Sequence, residues 1–384
     1  MEGHIWTAPS NCANVIAIQF FTCDPQVEIG RADTQRVEEN LNLLRASLIA
    51  LITTLPLVAA AADVVDGHSK PKYSIVDGHL HLLDFVQETS GLDALLKAMD
   101  DTGVAESVVI GMPLVKKWDE GDDRRPTYYL DNDSRTYWYS ATDFLVARAV
   151  LDLPKNQQAR LHPFLCGFNI ADRNAVDHVE RMLAQYPDFW QGIGEVFLRH
   201  DDLTALTYGD VPRATSKAFA RLLDLAAARN LPVLIHSNIG PAWREQSDYL
   251  DELESAIRAH PNTRMIWAHA GISRRIVIPD HTDILRRMLG QYPNLTIDLS
   301  WVIFDQEIAP GGMLDRKWVS LIDAYPSRFV IGSDTVARFD QYKTTLQRYY
   351  LLLDALAPET ARKVARDNFL ALVPPQKASS QARK

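Results

Sequence analysis

Cysteine is scarce in this chain. Its 384 residues include three, Cys12, Cys23 and Cys166. Their spacing forms no metal-binding pair, and removal of the first 62 residues leaves Cys166 alone with no intrachain disulfide to make. Clusters of Lys and Arg are also missing, and the formal net charge is -9. That balance excludes nucleic acid as the main partner, because affinity for a polyanion comes from massed cations. No Gly-x-Gly-x-x-Gly follows the first apolar strand, which speaks against a dinucleotide-binding open sheet. The uncharged run Ala46 to Ala62 falls short of the roughly 20 apolar residues that span a bilayer, so no stable membrane span is expected after processing. What is there is ordinary globular composition: 47% hydrophobic and 23% charged residues suffice for one large α/β domain or two small ones.

Residues 1–40 show no sustained period. Arg45 then introduces the run 46–62, which ends in small residues with Ala60-x-Ala62 as a cleavage site, the pattern of a secretory signal peptide. Its place more than forty residues into the chain requires a start downstream of Met1 or an unusually long leading region; the other reading is an amphipathic helix. The expected organisation is an extension over 1–62 containing the signal segment 46–62, a folded domain over 73–373, and a polar tail over 374–384. Export to the periplasm or the medium follows if the segment is a signal, and a cytoplasmic location otherwise.

From Tyr73 onward short apolar strands alternate with amphipathic helices. Strands are expected at 74–82, 106–113, 161–169, 192–198, 231–236, 264–269, 295–300 and 329–334. Helices are expected at 91–100, 141–151, 176–186, 217–228, 248–259, 282–292, 315–325 and 358–372. Eight such units over about 260 residues predict a closed parallel (β/α)₈ barrel, a TIM barrel, with a C-terminal helix. A long polar and aromatic excursion, Leu114 to about Ser140, interrupts it after strand two and reads as a lid or pocket wall.

In such a barrel the chemistry sits at the C-terminal ends of the strands. Those ends carry His79 and His81 on the first strand, Glu195 on the fourth, His236 on the fifth, His269 on the sixth, Asp298 on the seventh and Asp334 on the eighth. His79 and His81, two residues apart, project from the same side of a strand. All seven are metal-ligand types, and ionisable groups at the ends of buried strands are costly unless paired or bound to a cation. Asp298 reads equally well as the hydrogen-bond partner of a metal-bound histidine, and Glu195 as a carboxylate paired with Arg199. His162, His178, His200, His260 and His281 read as surface or packing residues.

The segments Val76-Asp-Gly-His-Leu-His81, Gly192-Ile-Gly-Glu195, Val233-Leu-Ile-His236, Ile266-Trp-Ala-His-Ala-Gly271 and Ile331-Gly-Ser-Asp334, with the ending Thr360 to Leu370, resemble the amidohydrolase superfamily, specifically its amidohydrolase-related group. The resemblance covers about residues 73 to 373. It implies that His79, His81, His236 and Asp334 hold a divalent cation, most often zinc. Glu195 stands where many relatives carry a bridging carboxylated lysine, and His269 would complete the shell of a second ion or, with one ion, act as a base or oxyanion partner. A cation with an open position makes hydroxide available near neutral pH, and Asp334 can take that water's proton and pass it on.

The activity this implies is hydrolysis of a lactone, amide or ester in a small molecule. Alternatives are non-oxidative decarboxylation of an aromatic or unsaturated acid, which members of the same group perform, and a non-catalytic binding barrel. Tyr128, Tyr129, Tyr137, Trp138, Trp243 and Trp301 suggest an aromatic-lined pocket, and Arg199 and Arg274 are positioned in sequence to meet a substrate carboxylate. Relatives are often dimers, so a homodimer is a further expectation.

Overall fold

The computed structural model describes residues 71–126 and 133–374. The signal segment 46–62, the tail from residue 375, Cys12, Cys23, Tyr128 and Tyr129 lie outside the described residues. Among those described, no helix is long and apolar enough to cross a membrane.

The barrel strands are Ile75–Asp77 with Leu80–His81 (strand one), Val104–Ile110 (two), Leu161–Leu165 (three), Gly192–Phe197 (four), Val233–His236 (five), Met265–Trp267 (six), Leu295–Asp298 (seven) and Phe329–Val330 with Thr335–Val336 (eight). Every neighbouring pair is parallel, and the order around the sheet follows the chain. Strand eight closes the ring by dividing itself. Its first segment pairs with strand seven, Ile297 opposite Phe329, and its second with strand one, Thr335 opposite Leu80. Between the segments Gly78 N–H donates to Ile331 O (2.9 Å) and Asp334 N–H to His79 O (2.8 Å), and just past the second segment Ala337 N–H donates to His81 O (2.8 Å).

Alternation of side chains along the strands produces two cores. Val76, Val108, Ile110, Phe164, Cys166, Leu234, Ile266, Ala268 and Val330 fill the barrel interior, and Phe369 from the last helix packs with them, its ring centroid 6.3 Å from that of Phe164. The opposite faces, with Ile75, Val109, Ile193, Ile235, Trp267 and Phe329, join the apolar stripes of the surrounding helices. Helix Leu92–Thr102 is typical: Leu92, Leu95, Leu96 and Met99 fall on its buried stripe, and it stops where Gly103 takes φ 78, its N–H closing onto Met99 O. Ser216 caps Lys217–Ala228 and Asp315 caps Arg316–Ala324 through side-chain oxygens.

The excursion after strand two differs from a plain loop. Leu114–Lys116 and Thr136–Trp138 pair antiparallel into a short ribbon, and Thr136 Oγ1 lies 2.7 Å from Thr207 Oγ1 in the loop after strand four. Two short helices, Tyr342–Gln347 and Tyr350–Ala355, follow strand eight where no helix is expected from the sequence. The closing helix runs from Pro358 to Leu372 with one wider π turn over Lys363–Asp367.

Candidate metal centre

The strand-end residues meet at the C-terminal rim. His79 Nε2 lies 3.3 Å from His81 Nε2 and 3.5 Å from both Glu195 Oε2 and Asp334 Oδ1. His81 Nε2 is 3.1 Å from Glu195 Oε2 and 3.6 Å from Asp334 Oδ1. On the other side of the two carboxylates, His236 Nδ1 is 2.9 Å from Glu195 Oε1, and His269 Nε2 is 3.7 Å from Glu195 Oε1 and from Asp334 Oδ2. Two sets of three ligand atoms fall within 4.8 Å of one another, from His79, His81 and Asp334 and from His79, Glu195 and His269. His236, expected alongside His79 and His81, belongs to neither set; it faces the second oxygen of Glu195 instead.

Local backbone geometry aims these groups. Gly194 has φ 132, and a Cβ there would lie 2.4 Å from Leu234 O, so only glycine lets the chain deliver Glu195 this close to strand five. His269 and Asp334 both have positive φ, 54 and 48. Non-glycine residues in this region carry strain that clusters at functional sites.

The outer ring nitrogens decide what the inner ones offer. His79 Nδ1–H donates to Asp298 Oδ2 (2.8 Å), and His81 Nδ1–H to Gly111 O (2.8 Å). Ser300 Oγ–H donates to Asp298 Oδ2 (2.5 Å), which leaves Ser300 Oγ to accept from His269 Nδ1–H at 2.9 Å. His236 Nε2–H donates to Asn238 Oδ1 (3.1 Å). Four imidazole nitrogens and four carboxylate oxygens therefore face one small space, and in the neutral tautomers these outer bonds favour, none of the inward atoms brings a proton. Acceptors packed 2.9 to 3.7 Å apart repel unless a cation lies among them, and imidazole with carboxylate is the donor set of zinc and its first-row neighbours. The residues present fit a divalent ion.

The electrostatics carry the same demand. Burial alone pushes the His79 imidazole toward neutrality, yet the facing carboxylates of Glu195 and Asp334 and the bond to Asp298 outweigh it and hold its pKa well above the ordinary histidine value. Burial would raise the Glu195 carboxyl, but His79 and the bonds from His236 and His269 hold it well below the carboxylate range. Asp334, 13% exposed, is the most accessible acid of the cluster; Glu195 and Asp298 are buried.

The structure bears on three sequence expectations. Arg199 does not pair with Glu195: its Nε and Nη2 donate to Glu252 at 2.8 and 2.6 Å, and its guanidinium stacks on Tyr249 at 3.8 Å. Asp298, fully buried beneath His79, stands as the hydrogen-bond partner of that ring rather than in either ligand set. The aromatic wall is smaller than expected. Trp301 stands 5.0 Å from the His269 ring with Arg274 stacked on it at 4.7 Å, but Trp243 is turned out to solvent at 78% exposure, Tyr137 lies by Trp118 on the ribbon and Trp138 packs on the core.

His200, read from sequence as a packing residue, is buried face to face with His236, ring centroids 4.3 Å apart; burial first, and then the neighbouring His236, press its pKa well below the ordinary value. Asn238, Ser300 and Asp201 were missed altogether. Their short polar side chains on rim loops carry no periodic signal, although the His236-x-Asn238 and Asp298-x-Ser300 spacings place each beside a ligand type.

Among curated proteins none matches the chain. Of solved structures, an uncharacterized TIM-barrel protein from Bordetella bronchiseptica superposes with a TM-score of 0.51 at 14% identity, covering 78% of this chain and 99% of its own. A probable 2-pyrone-4,6-dicarboxylic acid hydrolase from Acinetobacter baumannii, with citric acid bound, gives 0.50 at 11% identity over 78% of this chain and 98% of its own. A zinc-bound amidohydrolase from Burkholderia multivorans gives 0.48 at 15% identity over 78% and 100%. These likenesses are of fold. A family model described as amidohydrolase matches residues 158–374, which take in Glu195, His236, His269, Asp298 and Asp334. With 217 of the 384 residues matched, the protein belongs to the amidohydrolase family and is a metal-dependent hydrolase of that type.

Proposed function

We propose that the protein hydrolyses a lactone, amide or ester bond in a small molecule at a centre where His79, His81, Glu195, His236, His269 and Asp334 would hold two divalent ions, zinc by preference, with Glu195 between them. One observation carries the reading. Each carboxylate turns one oxygen to each side: Glu195 Oε2 and Asp334 Oδ1 toward His79 and His81, Glu195 Oε1 and Asp334 Oδ2 toward His269, with His236 against Glu195 Oε1. Zinc bonds of 2.0–2.1 Å in a tetrahedron give ligand-to-ligand edges of about 3.3 Å. The five distances on the His79–His81 side run from 3.1 to 3.6 Å.

Ions held there would supply a Lewis acid and a water of lowered pKa. The chain's residues do the rest. Asp334 faces the mouth, accepts the attacking water's proton on an oxygen and returns it to the leaving group. Asp298 and Ser300 keep the rings of His79 and His269 turned so that each presents its Nε2 lone pair, rather than a proton, to the space an ion would fill. Trp301 and Arg274 border the opening and offer a flat face and a cation to the substrate.

The test is elemental analysis of the purified protein, together with a panel of lactones, amides, esters and aromatic or unsaturated acids. Two ions per chain with acid or alcohol release supports the proposal. Carbon dioxide release with one ion overturns it in favour of decarboxylation, and a metal-loaded protein without turnover supports a binding barrel. Replacement of His236 by Ala is expected to abolish turnover with the fold intact.

A further inference from the structure

His236 differs from the other three histidines of the centre in presenting Nδ1 inward, where they present Nε2. The loops around it explain the difference. His236 Nε2 meets Asn238 Oδ1 at 3.1 Å, and Asn238 Nδ2 donates to Asp201 Oδ1 at 2.9 Å. The second oxygen of Asp201 accepts from Ser273 Oγ (3.2 Å) and from Arg275 Nε (3.0 Å), and Arg275 also pairs with Asp202. Asn238 and Ser273 are buried.

The direction of every bond in this chain follows from its far end. A carboxylate only accepts, so the Asn238 amide must turn its NH₂ toward Asp201 and its carbonyl oxygen toward His236. That oxygen accepts a hydrogen bond from His236 Nε2–H, and in the neutral ring the lone pair is left on Nδ1, which faces Glu195 Oε1. The imidazole also packs against the rings of His200, at 4.3 Å, and Phe197, at 5.6 Å.

We propose that Asn238 and Asp201, anchored by Arg275, are positioning residues that fix the His236 tautomer and so set the affinity of the Glu195 side of the centre for its cation. The relay joins the loops after strands four, five and six, and its role toward the cation rests on the metal reading above.

Exchanging the two ends of the central bond tests this. Asn238→Leu removes the acceptor. Asn238→Asp keeps an acceptor for His236 but sets two carboxylates face to face. The double variant Asn238→Asp with Asp201→Asn restores donor and acceptor in exchanged order. Cation affinity is read by competition of zinc with a chromophoric chelator, coordination by the visible spectrum of the cobalt-loaded protein, and folding by calorimetry. Losing a partner that orients a metal-binding imidazole costs about 10- to 100-fold in affinity. Both single variants are expected to show such a loss and a changed cobalt spectrum, and the double variant to recover most of it.

The tautomer itself is read without any metal, from ¹⁵N shifts of labelled histidines in the metal-free protein. Wild type is expected to show His236 protonated at Nε2, and Asn238→Leu a mixture. Single variants that bind zinc as wild type does, a double variant no better than Asn238→Asp, or an unaltered tautomer in Asn238→Leu overturns the proposal. Wild type that takes up no divalent ion while the tautomer responds as expected sinks the metal reading and leaves the relay standing.

Discussion

Gly332 lies in the gap between the two segments of strand eight, against the backbone that carries His79. A Cβ built on it would stand 2.6 Å from His79 Cβ and 2.9 Å from His79 N. Ordinary contact begins at 3.4 Å, so Gly332→Ala forces an opening of about 0.8 Å at the histidine. Neither side can yield alone, because Gly78 N–H to Ile331 O and Asp334 N–H to His79 O stitch the two strands on both sides of the contact. Overpacking of this kind costs about 1–3 kcal/mol, and each kcal/mol lowers Tm by about 2–4 °C in a domain of roughly this size. The larger effect is on chemistry, since a displacement near 1 Å at reacting groups costs about 10²-fold in rate. Calorimetry of metal-stripped protein measures the first, and zinc titration with kcat/KM on any substrate turned over measures the second. A variant with unchanged Tm, zinc affinity and kcat/KM would refute the claim that strand one and strand eight hold the centre rigidly between them.

Asp298→Asn leaves an NH₂ facing either His79 Nδ1–H or Ser300 N–H, one donor against another, and zinc affinity by chelator competition is expected to fall about 10- to 100-fold; unchanged affinity counts against an orienting role. Stripping divalent ions exposes Glu195 and Asp334 to each other and to the four imidazoles, and the protein should lose about 2.7 kcal/mol relative to a state with free ion at 100 times Kd, read as a lower Tm in scanning calorimetry. An unmoved Tm would mean that no ion binds the native state. The bond from Arg199 is the main influence holding the Glu252 carboxyl below its ordinary value, so its stabilisation is complete at neutral pH and disappears as pH falls through that lowered value. The Tm difference between wild type and Glu252→Gln should therefore be present at pH 7 and shrink below about pH 4.3, the ordinary glutamate value; a difference independent of pH would reject the ion-pair account.

The barrel was legible in the sequence because its signals are local. Runs such as Val233 to His236 and stripes such as Leu92, Leu95, Leu96 and Met99 declare strand and helix within a few residues. The ligand types were legible for the same reason, as each stands where an apolar strand ends. What stayed hidden depends on contacts between distant segments. Arg199 follows strand four just as a substrate-binding arginine would, and only folding brings Glu252 to it across 53 residues. The ribbon has three-residue strands, too short for alternation to register. That His236 turns Nδ1 rather than Nε2 to the centre is settled by Asn238 and Asp201, one on its own loop and one on the previous loop. Periodicity cannot reveal the orientation of a ring.

The divided last strand makes the hoop and the reaction centre a single clasp. Its residues 331–334 both fasten the sheet to its beginning and carry the acid that reaches solvent. Any change that loosens this buckle blunts the chemistry at once, whereas rim segments that carry neither the centre nor its relay, such as the ribbon after strand two, can be lengthened or exchanged to admit new substrates without unfastening it.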